Sequence, residues 1–376
     1  MVLKEISHWI RDLGVRLPEP FRCGCGLTHR VPIRSLLFGR GVIDEVQRTI
    51  EGLGVRVLVV ADPTTKRIAG ESVIEALSAN GARVEESIVS EPTVDESYRL
   101  SEALVGRDLA VAVGGGSVID VCKLASKIAD IPYVAVPTTL SHDGVVSPTA
   151  SLIGTDSVKR SILCNPPVGV LFDSDILENQ PRRMISAGCA DILAKATSLK
   201  DWELGRDAVN ERYCELTARV VKTSLDSLVD SLRMGNFDIA VLCRSILLSG
   251  VAMALMGSSR PCSGSEHLIA HRLEASKQKN ALHGELVGLG TIMMSKYHEV
   301  ENEGWWEDAK LSHESILSIL RGLKVPTSRE ELGISTESIV NALMTARDLR
   351  PDRFTILHKR PLNLRDAESL VRETVG

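Results

Sequence analysis

The sequence predicts an α/β domain built on a parallel, doubly wound sheet, followed by an all-helical domain. Three observations carry this. From about Ser35 to Asp175, short apolar runs alternate with segments of helical periodicity, as repeated βαβ units do. The apolar runs are continuous rather than alternating, which suits strands covered on both faces. After Pro181 strand signals vanish while helical spacing persists. The expected division is an N-terminal extension over 1–34, an α/β domain over 35–180 and a helical domain over 181–376.

Element by element, residues 1–16 read as a short amphipathic helix, and "RLPEPFRCGCGLTHR" as a loop. "VRVLVVAD" from Val55 is a buried strand, and "TKRIAGESVIEALSANG" a helix closed by glycine. "ARVEESIVS" is a strand and "VDESYRLSEALVGRD" a helix. "LAVAVGGGS" runs from a strand into a glycine turn, "VIDVCKLASKIAD" continues as a helix, and "IPYVAVPTT" is another strand. The sheet is thus Rossmann-like in character. Beyond Pro181, "RRMISAGCADILAKATSLKDWELG", "NERYCELTARVVKTSLDSLVDSLRMG" and "FDIAVLCRSILLSGVAMALMG" are helical, with later breaks at "GLKVPTS" and "RDLRPDR".

At 376 residues the chain can hold two cores. A net charge of −5 and a pI near 6.0, with no basic stripe, argue against nucleic acid. "VRVLVVA" and "LAVAVGGG" are strand-length, well short of the roughly 20 residues that span a bilayer, so membrane insertion is not expected. The N-terminus lacks a signal-type apolar core. Eight cysteines scattered among apolar neighbours fit reduced thiols and a cytoplasmic location.

Gly114, Gly115 and Gly116 lie between a strand and a helix start. Such a turn lets a phosphate approach the backbone beside unpaired N–H groups, and Ser117 could cap the helix or donate to a phosphate oxygen. It also reads as a tight turn that binds nothing, and it is not G-x-G-x-x-G. Asp62 ends the first strong strand, placed either to accept from a ribose hydroxyl or to cap the next turn. "VAVPTTLSHDG" ends another strand with Thr138, Thr139, Ser141, His142 and Asp143, in a loop more polar than a connection needs.

His267 and His271 share a helix face, and His283 follows in "ALHGELVGLG". A catalytic divalent metal wants about three protein ligands. Asp191, in a helix among small and apolar neighbours, is a candidate hard ligand, though pairing with Lys195 at i+4 would also account for it.

"GGGSVIDVCK", "VPTTLSHDGVVSPTASL", "GCADILAKATSLKDW", "GSEHLIAHRLE" and "HGELVGLG" resemble, in order and spacing, the superfamily of glycerol dehydrogenases, iron-type alcohol dehydrogenases and 3-dehydroquinate synthases. "TTLSHDGVVSPTASL" with "SEHLIAH" is most similar to its sn-glycerol-1-phosphate dehydrogenase branch, over roughly residues 35 to 300. The resemblance implies a dehydroquinate synthase-like fold in a homo-oligomer. It implies that Asp191, His267 and His283 bind one divalent metal, usually Zn²⁺, with Ni²⁺ in some bacterial relatives. Asp143 and His271 would face the substrate, with Asp191 touching it through the metal site. Gly114, Gly115, Gly116, Ser117, Asp120, Thr138, Thr139, Ser141 and Ser147 would line NAD or NADP, and Asp62, Val118 and Leu140 are further cofactor-binding candidates; Lys123 matches a lysine common after the glycine turn.

The implied reaction is reversible, metal-dependent reduction of dihydroxyacetone phosphate by NAD(P)H, a step of phospholipid biosynthesis. Arg260, Arg272 and Lys195 are phosphate-partner candidates by sequence proximity. The rival readings are a polyol dehydrogenase, a carbocycle-forming lyase of the dehydroquinate synthase type and a non-catalytic binding protein. One departure stands at the front. Cys23, Cys25 and His29 could hold a second, structural metal, but C-x-C-x3-H lacks an obvious fourth ligand, and a packed loop is the preferred reading.

Overall fold

The structure, a computed structural model, describes residues 4–156, 158–275 and 281–376. The chain divides into a unit of residues 1–181 with 238–258 and a unit of residues 182–237 with 259–376.

In the first unit the strands are β1 (Lys4–Glu5), β2 (Phe21–Arg22), β3 (Thr28–His29), β4 (Ser35–Gly39), β5 (Arg56–Ala61), β6 (Arg83–Ile88), β7 (Leu109–Gly114), β8 (Tyr133–Pro137), β9 (Thr149–Ile153), β10 (Lys159–Leu163) and β11 (Gly169–Asp173). Among the described residues the main sheet has seven strands in the order β1-β4-β11-β8-β7-β5-β6. All neighbours pair in parallel except β1, which runs antiparallel along β4. β7, β8 and β11 are buried along their whole length, as the unbroken apolar runs predict. β6, at one edge, exposes Arg83, Glu85 and Glu86, and charges on an edge deter pairing with another chain. Alternate residues Val57, Val59, Val111, Val113, Val134 and Val136 face one side of the sheet. There they pack with Val73 and Leu77 of α1 (Glu71–Ala79). The helices α2 (Val94–Leu104) and α3 (Gly116–Ala129) complete the crossovers.

The order of strands reverses between β5 and β7. From β5 the chain crosses to β6 on one side, then returns to build β7 and β8 on the other. The carboxyl ends of β5 and β7 therefore flank a topological switch point, where open α/β sheets bind ligands. Asp62 and the turn of Gly114–Gly116 occupy those two ends.

The first residues depart from the sequence expectation. Lys4–Glu5 form β1 and His8–Arg11 a single helical turn; residues 1–3 of the expected helix lie outside the described residues. The open edge of β4 accounts for this, pairing Lys4 with Phe38 and Glu5 with Leu37, which meets backbone groups that a helix would leave unpaired there. β9 and β10, an antiparallel hairpin, also went unanticipated.

The second unit is helical among the described residues: α4 (Arg182–Leu193), α5 (Lys195–Val209), α6 (Glu215–Met234), then α8 (Ser265–Ala275), α9 (His283–Glu301), α10 (His313–Gly322), α11 (Thr336–Thr345) and α12 (Leu364–Thr374). Its core gathers Leu193, Leu225, Leu268, Leu286, Met293, Leu320, Leu343 and Leu370.

The intervening helix α7 (Ile239–Met256) belongs to the first unit. Its 18 residues have a mean hydropathy of 2.1, enough by length and composition to cross a membrane, yet 72% of the helix is buried inside the protein. A core helix explains such an all-round apolar surface. Gly250 makes the approach close, since a Cβ there would sit 2.7 Å from Val146 Cβ and 2.9 Å from the Val146 carbonyl carbon. Gly250→Ala should therefore destabilise the chain by about 1–3 kcal/mol. Chemical denaturation would read this, and an unchanged midpoint would mean that α7 retreats freely.

Candidate metal and nucleotide sites

Asp191 lies in the last turn of α4 with no exposed surface, and His267 lies in the first turn of α8, also buried. His283 is the first residue of α9. One carboxylate oxygen of Asp191 and a ring nitrogen from each histidine lie within 4.8 Å of one another. His267 Nε2 is 3.2 Å from Asp191 Oδ1, and the rings of His267 and His283 are 5.5 Å apart.

Glycine allows the three helices to meet. A Cβ on Gly284 would lie 2.1 Å from the Ala187 carbonyl oxygen, and one on Gly290 2.6 Å from the Glu266 carbonyl oxygen. These contacts bring α9 against α4 and α8 along the stretch that begins with His283. Asp201, buried, accepts the Ser265 N–H at 2.6 Å, which caps the start of α8.

Behind the donors stand carboxylates. Glu266, fully buried, holds His267 Nδ1 at 2.7 Å. The Gly264 N–H and the Thr197 hydroxyl fix Glu266 in turn. Glu274 Oε1 is 3.0 Å from His283 Nδ1, and its Oε2 is 3.1 Å from His271 Nδ1. A carboxylate on Nδ1 sets the tautomer that leaves Nε2 free to ligate. One carboxylate and two imidazoles so supported fit a catalytic divalent ion, which takes about three protein ligands and keeps an open position. The predicted metal trio is thus brought together.

The electrostatics agree. Burial favours the neutral form of Asp191, but Lys195 Nζ at 3.5 Å and the bond to His267 outweigh it and hold the carboxyl well below its usual range. Burial likewise disfavours a charged His267, yet its bonds to Asp191 and Glu266 prevail and its pKa is pushed up to about 9. In the structure Asp191 pairs with Lys195 and also lies beside His267 and His283.

At the switch point, Gly115 precedes α3 and no side chain caps that helix. Its first N–H groups are thus left to a ligand or to solvent. Each glycine has a local reason: a Cβ would meet Val118 at Gly114, Thr139 Oγ1 at Gly115 and the His142 ring at Gly116. Asp62 Oδ1 accepts from the Thr64 and Thr65 N–H groups, and the Thr65 hydroxyl returns a bond to Asp62 N–H, so Asp62 caps a helical turn. Thr139 and Ser141 are half-buried beside the turn, while Val118, Thr138, Leu140 and Asp143 are buried.

Asp120 and Ser147 sit beneath the turn. Asp120 takes Lys123 Nζ at 2.9 Å and the Ser151 N–H at 2.9 Å. Lys123, fully buried, also donates to the carbonyls of Gly144 and Thr149 at 2.7 Å each. Ser147 is bonded to the Thr149 backbone, and the Leu140 N–H is taken by Gln180. These groups tether the polar loop to α3.

Of the phosphate-partner candidates, Arg260 is committed elsewhere. Its guanidinium grips Glu211 at 2.6 and 2.9 Å and donates to the Asp201 and Phe354 carbonyls. Arg272 donates to the Thr345 carbonyl. Glu266 and Glu274 are the participants that sequence reasoning missed. Glu274 stands three residues after His271 and could have been found from helical spacing. Glu266, next to His267, could not, because neighbours in a helix do not face each other.

Two outcomes follow. Glu266→Gln keeps the shape and removes the charge, so metal affinity should fall about 10–100-fold with the fold retained; competition against a chromophoric chelator would show it, and unchanged affinity would deny Glu266 its orienting role. Because the metal-free site keeps a proton on His267 up to about pH 9, a binding ion must expel it. Affinity should rise about tenfold per pH unit below that value and level above it, with close to one proton released per ion near neutrality. Calorimetry in buffers of different ionisation enthalpy checks both, and a flat profile would refute them.

Residues 37–181 match the family model for iron-containing alcohol dehydrogenases. The glycerol-1-phosphate dehydrogenase of Methanothermobacter thermautotrophicus is 37% identical over 350 residues, covering 91% of this chain and 96% of that protein. The enzyme of the same name from Pyrococcus abyssi is 37% identical over 349 residues, covering 91% and 97%. Among solved structures, a probable glycerol dehydrogenase from Sinorhizobium meliloti superposes with a TM-score of 0.72 at 21% identity, over 90% of this chain and 95% of that one. The glycerol dehydrogenase of Schizosaccharomyces pombe gives 0.69 at 18%, over 90% and 88%. Those two share the fold; the closer sequence relatives decide the family. This chain belongs to the glycerol-1-phosphate dehydrogenase family.

Proposed function

We propose that the chain catalyses the reversible NAD(P)H-linked reduction of dihydroxyacetone phosphate to sn-glycerol 1-phosphate, in the cytoplasm and as a homo-oligomer. The observation that carries this reading is the buried trio of Asp191, His267 and His283, in a chain 37% identical to named glycerol-1-phosphate dehydrogenases over 91% of its length. The trio would hold one divalent ion, with Zn²⁺ the first candidate and Ni²⁺ the second.

When bound, the ion supplies Lewis-acid polarisation of a carbonyl and the nicotinamide supplies the hydride. The rest falls to this chain. Glu266 and Glu274 orient the imidazoles through Nδ1. His271, whose side chain is 34% exposed and whose Nδ1 is tied to Glu274, keeps Nε2 for passing a proton to the product hydroxyl oxygen. The N–H groups at the start of α3 hold the cofactor pyrophosphate, and Asp62, Thr138, Thr139, Leu140 and Ser141 shape its surroundings. Asp120, Val118 and Ser147 act from below, by fixing the turn and the loop. Asp143 is assigned to the substrate. In this scheme residues 35–180 serve the cofactor, while residues 181–376 hold the metal and contribute to substrate binding.

The test follows NADH and NADPH absorbance with dihydroxyacetone phosphate, before and after chelation and with Zn²⁺ or Ni²⁺ restored. Oxidation should require metal, dropping at least about tenfold without it, and should be slight with unphosphorylated dihydroxyacetone. Preference for the unphosphorylated ketone would point to a polyol dehydrogenase, and no oxidation under any metal would overturn the assignment.

A further inference from the structure

We propose that the N-terminal hairpin is a second metal site, for a thiophilic divalent ion such as Zn²⁺, with Cys23, Cys25 and His29 as ligands. The spacing C-x-C-x3-H suggests a packed loop; the geometry points instead to a nest of donors. β2 and β3 pair antiparallel, Phe21 against His29 and Arg22 against Thr28. The connection turns tightly, with the Cys23 N–H donating to Leu27 O at 2.9 Å and the Gly26 N–H to Cys23 O at 3.0 Å. Gly26 has φ +85°, a left-handed conformation that glycine adopts without cost to a Cβ. This turn folds Cys25 back over the hairpin, so that Cys25 Sγ lies 3.4 Å from His29 Nε2. Both sulfurs and the ring nitrogen lie within 4.8 Å of one another.

The orientation of His29 is an independent observation. The residue is 1% exposed, and its Nδ1 is 2.7 Å from the carbonyl oxygen of Leu255, near the end of α7. A carbonyl only accepts, so Nδ1 bears a proton, and Nε2 faces the Cys25 thiol. Metal-ligating histidines are held in this way. Two sulfurs and an imidazole, with no oxygen among them, select zinc-like ions, whereas the Asp191 trio offers a hard oxygen. The ion would pin the hairpin to the end of α7, a structural role that stands apart from the activity proposed above. The hairpin supplies three ligands, and the fourth position of a tetrahedral ion lies outside it.

The test is metal content. After zinc loading under reducing conditions and desalting, the His267→Ala/His283→Ala chain should retain about one zinc, and adding Cys23→Ser and Cys25→Ser should remove it. A metal-free His267→Ala/His283→Ala chain, or zinc retained after both serine substitutions, would overturn the proposal. Because the serine variants could misfold, the wild-type chain is also treated with iodoacetamide and mapped by mass spectrometry. Cys23 and Cys25 are half-buried, within reach of the reagent, and bound zinc should slow their alkylation at least about tenfold until a chelator is added. Equal rates with and without zinc would refute the site.

Discussion

Asp191 has no exposed surface, and removing an ionised carboxylate from water costs several kcal/mol unless neighbours compensate. Much of the second unit follows from meeting that cost. Lys195 comes up from the next helix and His267 crosses from α8. The glycines of α9 let its backbone press close enough to bring His283 alongside. Once His267 stands between Asp191 and Glu266, it carries a proton that each carboxylate favours. The arrangement is thus already neutralised in part, and an ion binding there would take the place of that proton.

The first unit solves a similar problem with the opposite charge. Lys123 is fully buried, and its ammonium is satisfied by Asp120 and two backbone carbonyls. Those carbonyls belong to Gly144 and Thr149, so the cation ties the polar loop after β8 to the helix that follows the glycine turn. Lys123 lies about two turns into α3. Here its donors are used to hold the site's shape.

His267, His283 and His29 are held from behind by different acceptors. Glu266 backs His267, Glu274 backs His283 and the Leu255 carbonyl backs His29. In each case Nδ1 is engaged and the other nitrogen is directed at further donors. Carboxylate backing keeps His267 basic, which suits the proposed ion site beside a carboxylate. The carbonyl-backed ring faces sulfur.

The sequence by itself determined the βαβ alternation and the helical second half, because hydrophobic period is a local property, while the grouping of Asp191, His267 and His283 was legible only through the resemblance to a family. The unbroken apolar runs of β7 and β8 could only be interior strands. Tertiary structure alone decided what depends on contacts remote in the chain. The edge of β4 drew Lys4–Glu5 into a strand. α7, read from sequence as one helix among many, joined the first unit because Gly250 meets Val146 about a hundred residues earlier. The capping role of Asp62 and the buried pair of Asp120 with Lys123 depend on where side chains point, which periodicity does not encode. The same holds for Glu266, whose carboxylate meets the ring of its sequence neighbour His267, and for His29, whose Nδ1 meets a carbonyl 226 residues away.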